Sequence, residues 1–143
     1  MVDVSAKPIT LRTATATGCV IMKSETAAMI QSRNASKGDV LAVAQVAAIN
    51  AVKLTPSLIP LCHTILIDGV EVQFHFRDEV TLDCLVTVRS EGRTGVEMEA
   101  LCGVTTACLT VYDMCKAVDR EMTIAAVRLL AKDGGQSGQF SAA

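Results

Sequence analysis

The sequence has no tryptophan, one tyrosine, three phenylalanines and three prolines among its 143 residues. Any core must therefore be filled by Ala, Val, Ile and Leu. Charge of one sign is also missing. Thirteen Lys and Arg stand against fifteen Asp and Glu, a net charge of −2 with no basic face, which speaks against general nucleic-acid binding. No apolar run reads as long and uncharged enough to span a bilayer. The opening MVDVSAKP lacks the basic region and apolar stretch of a secretory signal, so the expected location is the cytoplasm. With two histidines, and six cysteines (19, 62, 84, 102, 108 and 115) that form no C-x-x-C pair, neither a zinc site nor a disulfide frame is indicated. The cysteines fall mostly at apolar positions and read as reduced core thiols.

What is present is apolar: half of the residues, enough for the core of one domain over 1–143, with a mobile tail from about 134. Residues 9–22 alternate polar and apolar side chains and read as a strand. Ser24 is placed to cap a short helix. Ser36 and Asp39 then precede a helix apolar on nearly every side, with Lys37 at its start and Lys53 near its end. Lys53 suits the negative end of the helix dipole, whereas Lys37 beside the first amides has the makings of an anion site, with a solvated surface lysine the commoner reading of such a position. Pro56 and Pro60 interrupt the next stretch, LTPSLIPLCHTILI. His63, inside an apolar run, reads as a core histidine bonded to a backbone carbonyl ahead of a ligand contact. Cys62 and His63 are adjacent and point to opposite faces in extended chain. Residues 70–77 and 80–89 alternate cleanly and are joined by the short Asp78–Glu79 connection, which predicts an antiparallel hairpin.

The longest pattern runs from Thr94 to Arg120. Thr94 and Glu97 have capping-box spacing, no proline follows, and apolar residues dominate, which predicts a long helix mostly buried. Glu99, Thr106, Thr110 and Asp113 fall within about 40° of one line, with Arg120 at its edge. A carboxylate stripe on an apolar helix implies either a site or ion pairs at an oligomer interface. Thr123 then reads as the cap of a last helix, IAAVRLLAK, ending at Gly134–Gly135. Strands and helices segregate enough for an α+β fold, an antiparallel sheet with helices on one face.

The blocks MVDVSAKP, KGDVLAVAQ, LIPLCH, TGVEMEAL, TVYDMCKAVDREM and LLAKDGG span nearly the whole chain in order. Together they resemble the cyclic pyranopterin monophosphate synthases of molybdenum cofactor biosynthesis (molybdenum cofactor biosynthesis protein C). The resemblance implies a ferredoxin-like fold assembled as a hexamer, a trimer of dimers. It implies conversion of a cyclised dihydro-GTP, supplied by an upstream radical SAM enzyme, into cyclic pyranopterin monophosphate with loss of pyrophosphate. It carries substrate binding onto Leu61, Cys62, His63, Met98 and Glu99, catalysis onto Asp113, and further polar positions onto Lys37, Lys53, Glu97, Lys116 and Lys132. No resident cofactor is implied, and Mg2+ would accompany the triphosphate.

The chemistry fits these residue types. Lysines suit a triphosphate, and ring opening with reclosure needs an acid and a base close together. Asp113 and Lys116 share a helical face and form the expected pair for proton transfer. Thr64, Ala48 and Val52 depart from the usual Pro, Gly and Ala of the family, which bears on how His63 is presented and on how the first long helix packs. The competing expectation is a non-catalytic assembly protein whose apolar helices form the interface. Glu99 and Asp113, fourteen residues apart, are about 21 Å apart along a helix, so a shared site predicts a second chain supplying one of them.

Overall fold

A computed structural model describes residues 1–143. The elements in chain order are β1 (Thr10–Ile21), α1 (Ser24–Gln31), α2 (Val40–Leu58), β2 (Gly69–Phe76), β3 (Thr81–Gly92), α3 (Glu97–Cys115), β4 (Thr123–Asp133) and β5 (Phe140–Ser141). They form one antiparallel sheet in the order β2-β3-β1-β4-β5, with helices on one face. Stripped of α1 and β5, the order β-α-β-β-α-β is the ferredoxin-like arrangement, an α+β fold. The core lies between sheet and helices. Ala14, Ala16 and Val20 of β1 and Leu82, Cys84, Val86 and Val88 of β3 face Val104, Cys108 and Val111 of α3. Alanines on the inner faces of β1 and α2 let the layers approach closely without aromatic filler.

β2 and β3 form the expected hairpin, with Val70, Val72, Phe74 and Phe76 half-buried on its inner side. α2 begins where expected, its Asp39 carboxylate accepting from the Ala42 N–H at 3.1 Å. It does not stop at Pro56, which lies in its last turn; the helix runs to Leu58. Lys53 is therefore not in the final turn, and its dipole role falls away. At 19 residues, α2 is after all long and apolar enough to cross a membrane. Lys53 is the one charge along it. Its inner face (Ala44, Ala48, Ala51, Val52 and Thr55) is buried in the fold, so it is a core helix here.

Three expected caps or helices are otherwise. Ser24 bonds Glu25, and the position before α1 is Lys23, with no side-chain cap; the Asp119 carboxylate ties this corner down instead, accepting from the Lys23 N–H at 2.8 Å and the Thr26 hydroxyl at 3.1 Å. The Thr94–Glu97 capping box does not form: α3 starts at Glu97, with no side-chain cap. Glu97 instead pairs with Lys132 at 2.9 Å, a stronger partner than a backbone amide.

The expected last helix is a strand. β4 lies along β1 and covers the edge opposite β3. Two bulges interrupt it: Leu130 is extra between Thr15 and Ala16 of β1, and Ala126 with Val127 face Gly18 alone. Ala126 takes a φ of 54° at the second. Bulges erase the two-residue alternation by which a strand is recognised, and Ile-Ala-Ala-Val-Arg-Leu-Leu then reads as helical. The tail, expected to be mobile, returns as β5 on β4, with the Ala142 N–H donating to the Leu130 carbonyl at 2.8 Å.

Candidate active site

Helix α3 carries candidate site residues at both ends and a packed middle. At its N-terminus, the chain leaving α2 brings Leu61, Cys62 and His63 against Thr94, Gly95, Glu97, Met98 and Glu99 around a cavity of about 170 Å³. The two sequence blocks meet because α2 and α3 pack side by side with the end of α2 near the start of α3. His63 is half-exposed and not a core residue. Its Nε2 donates to the Val2 carbonyl at 2.8 Å.

Glu99 is buried, 2 % exposed. Burial pushes its carboxyl up, and the nearby charge of Glu97 pushes the same way against a contact with its own backbone amide. No cation is among the groups that act on it. A carboxyl so placed is ready to give or take a proton, or to meet a cationic or hydrogen-donating group of a ligand.

A second cleft, about 440 Å³, adjoins the first through Thr94, Gly95 and Glu97, and its walls are polar. Lys7, Arg12, Arg93 and Lys132 face it, against Glu97 and Asp133. Arg12 is 8 % exposed and sits on the inner face of β1 in line with Ala14 and Ala16. Its Nε and Nη2 donate to the Gly92 and Arg93 carbonyls at 3.4 and 3.3 Å. Its guanidinium is packed so closely under the β4–β5 turn that a side chain at Gly135 (φ 78°) would collide with it. The buried Thr10 hydroxyl at the same cleft has no partner. Burial pushes Glu97 up, but the Lys132 hydrogen bond, with the charges of Lys132 and Arg12, outweighs this and leaves it below the usual value. The arrangement suits a polyanion. Reading the sequence for motifs missed Lys7, Arg12 and Arg93. The signal for Arg12 was legible: a charge on the apolar face of β1.

At the C-terminus of α3, Asp113 and Lys116 come together as expected, Oδ1 to Nζ 2.5 Å. Lys37, from the loop before α2, completes the cluster: its Nζ donates to Asp113 Oδ2 at 3.0 Å and to the Asp113 carbonyl at 3.1 Å. The Lys116 hydrogen bond first, and that of Lys37 second, hold the Asp113 carboxyl below its usual range. All three side chains are about half-exposed. Lys53 joins neither cluster; it is exposed on α2, next to the Val52 that meets Gly103 in the middle of α3. The stripe is thus split. Glu99 is buried, Thr106 and Thr110 are half-buried, and Asp113 is exposed. Thr110 donates back to the Thr106 carbonyl at 2.7 Å. Ala48 and Val52 lie within the α2–α3 contact, wholly buried, and Thr64 is exposed beside the tethered His63.

A model of the MoaC family matches residues 1–135. A protein of Brevibacillus brevis named cyclic pyranopterin monophosphate synthase is 54 % identical over 140 residues, covering 98 % of this chain and 88 % of that one. One of the same name from Limosilactobacillus fermentum is 53 % identical, covering 98 % and 85 %. Cyclic pyranopterin monophosphate synthase 3 of Mycobacterium tuberculosis is 54 % identical, covering 98 % and 79 %.

Proposed function

The chain belongs to the MoaC family, and from that premise we propose that it is an enzyme of molybdenum cofactor biosynthesis, a cyclic pyranopterin monophosphate synthase. It converts a cyclised dihydro-GTP into cyclic pyranopterin monophosphate and releases pyrophosphate. One observation carries the reading in this chain: Leu61–His63 and Met98–Glu99 share a cavity that opens beside a cleft faced by four cationic side chains. The cavity takes the base and sugar. The cleft takes the triphosphate, whose charge Lys132, Arg12, Lys7 and Arg93 offset and whose departure as pyrophosphate they stabilise.

Asp113, Lys116 and Lys37 supply proton transfer. The carboxyl of Asp113, held low by two ammonium groups, stays ionised near neutral pH. It orients the lysines, and these carry the protons. Mg2+ would come with the phosphates of the substrate.

The two ends of α3 are too far apart for one small substrate, so we infer that the working site joins two chains. Exposed apolar residues on the helical face, Val43, Val46 and Leu54 of α2 and Leu109 of α3, are 44 % to 58 % accessible and suit a second copy. A dimer-based hexamer, working in the cytoplasm downstream of a radical SAM enzyme, is the assembly that goes with this reading. A non-catalytic assembly role would explain the apolar face but does not call for His63, Lys37, Asp113 and Lys116 together. The test is direct: purified protein is given the cyclised dihydro-GTP, and pterin and pyrophosphate are followed. Formation of neither ends the proposal.

A further inference from the structure

The segment before β1 has no regular structure, yet it is tied down at three points. The Ser5 N–H donates to the Asp3 carboxylate at 2.8 Å, closing an Asx turn. The Lys7 N–H donates to the Val4 carbonyl at 3.0 Å. The Val2 carbonyl accepts from His63 Nε2 at 2.8 Å, from 61 residues away in sequence. Val2, Val4 and Lys7 face Leu61, His63 and Thr94 across a cavity of about 500 Å³ that lies next to the site. Asp3 stands close enough to His63 to feel the ring's charge, a smaller effect on its lowered carboxyl than the Ser5 hydrogen bonds. A carbonyl can only accept a hydrogen bond. The contact therefore requires the proton on Nε2, and in the neutral ring it leaves Nδ1 bare.

We propose that residues 2–5 are the positioning element of His63: the Val2 carbonyl, held by the Asp3–Ser5 turn, fixes the Nε2–H tautomer and makes Nδ1 a hydrogen-bond acceptor for the substrate. The group His63 meets is then a donor, an N–H or O–H of the base or sugar, and not a phosphate oxygen. The cationic cleft keeps the phosphates. This rests on the reading of His63 as a substrate contact. The tautomer itself does not, and it can be read without any substrate.

The experiment uses the 15N-labelled chain and long-range proton–nitrogen spectra, at a pH about two units above an ordinary imidazole's ~6.5. There are two histidines, and His75 is exposed on β2, so it supplies the free-ring mixture of tautomers in the same spectrum. His63 is expected to show one tautomer, a protonated Nε2 with a slowly exchanging ring proton and a bare Nδ1. Asp3→Ala removes the turn: the ring proton should be lost, the His63 signals should move to the His75 pattern, and turnover should fall about tenfold, the lower end of what loss of an orienting partner costs a ligating histidine. Asp3→Asn keeps the acceptor without the charge and should keep both the signals and turnover. A Nδ1–H or mixed His63 in the unaltered chain overturns the proposal. So does an Asp3→Ala chain with unchanged ring signals, or an Asp3→Asn chain that loses as much as Asp3→Ala, because charge and not the turn would then hold the ring. A chain with the expected spectrum but no turnover on the cyclised dihydro-GTP overturns the enzymatic reading instead.

Discussion

Lys37 Nζ lies 3.0 Å from the side-chain Oδ2 and 3.1 Å from the main-chain oxygen of Asp113, while Lys116 Nζ lies 2.5 Å from Oδ1. Both oxygens of one carboxylate are thus taken by ammonium groups from different elements. Asp113→Asn keeps the shape and removes the charge that aligns the two lysines. The variant should fold and assemble as before and turn over at least ~100-fold more slowly, the scale of acid–base loss. Steady-state turnover with a far-ultraviolet spectrum checks it. Near-normal turnover would reduce the cluster to solvent-screened surface ion pairs.

The polar cleft predicts a selective loss. Lys132→Met removes one cation and frees Glu97, whose carboxyl, with burial no longer opposed by Lys132, should rise. Hydrogen bonds to charged groups contribute about 1.5–3 kcal/mol, so affinity for the triphosphate substrate should fall roughly tenfold or more. A nucleoside analogue without phosphates should bind nearly as before. Titration calorimetry on both ligands decides; equal losses would take the phosphates out of this cleft.

Gly103 predicts how the halves of the site are held at their spacing. A Cβ there would stand 2.9 Å from Val52 Cγ2 and 3.0 Å from Val86 Cγ1. Gly103→Ala should therefore destabilise by about 1–3 kcal/mol through overpacking, less the ~1 kcal/mol that alanine gains over glycine in a helix. Val52→Ala should make room, so the double variant should be more stable than the sum of the singles predicts. Urea midpoints measure this. Strict additivity would mean the two residues do not press on each other.

Asp119 predicts an acid limit to stability. It is 1 % exposed and accepts from the Lys23 N–H, the Thr26 hydroxyl and the Glu121 N–H. The Lys23 hydrogen bond first, then those of Thr26 and Glu121, outweigh burial and hold its carboxyl below the ordinary 3.8. A group with a depressed folded pKa contributes stability that is present above its unfolded value and lost as pH falls through the folded one. Stability should therefore drop as pH falls below about 3.8. In Asp119→Ala that share of the drop should vanish, along with about 1–3 kcal/mol near neutral pH from the donors left without a partner. Melting curves against pH test both.

The hairpin, the two long helices and the sheet-plus-helices class were legible because each keeps its pattern: Val70, Val72, Phe74 and Phe76 at every second residue, and the Val40 and Glu97 helices apolar over most of their length with no proline before the last turn. β4 was not, because its bulges at Leu130 and Ala126–Val127 break the period and leave a string of good helix formers. The expected caps failed where other contacts won: Ser24 turned to Glu25 while Asp119 took the Lys23 N–H, and Lys132 drew Glu97 away from the Thr94 amide. Resemblance proposed the candidate site residues and spacing paired Asp113 with Lys116, but the longer-range contacts among the candidates were not legible. Lys37 pairing with Asp113 and Val2 reaching His63 join residues 76 and 61 positions apart, which no local pattern encodes.

α3 runs unbroken from Glu97 to Cys115, so Glu99 and Asp113 are separated by fourteen residues of continuous helix, about 21 Å along its axis. One substrate cannot touch both in a single chain. Two α3 helices packed antiparallel about a two-fold axis would put Glu99 of each copy beside Asp113 of the other. That geometry can be tested with two inactive chains, Glu99→Ala and Asp113→Ala, unfolded together and reassembled. Random pairing makes about half of the dimers mixed, and each mixed dimer holds one intact site and one doubly damaged site. Activity should recover to about a quarter of the unaltered level, from nothing in either variant alone. Size-exclusion chromatography must show complete reassembly. If it does and the mixture stays inactive, the cross-chain site is wrong, and the buried Glu99 carboxyl acts on a part of the substrate remote from Asp113 or on none of it.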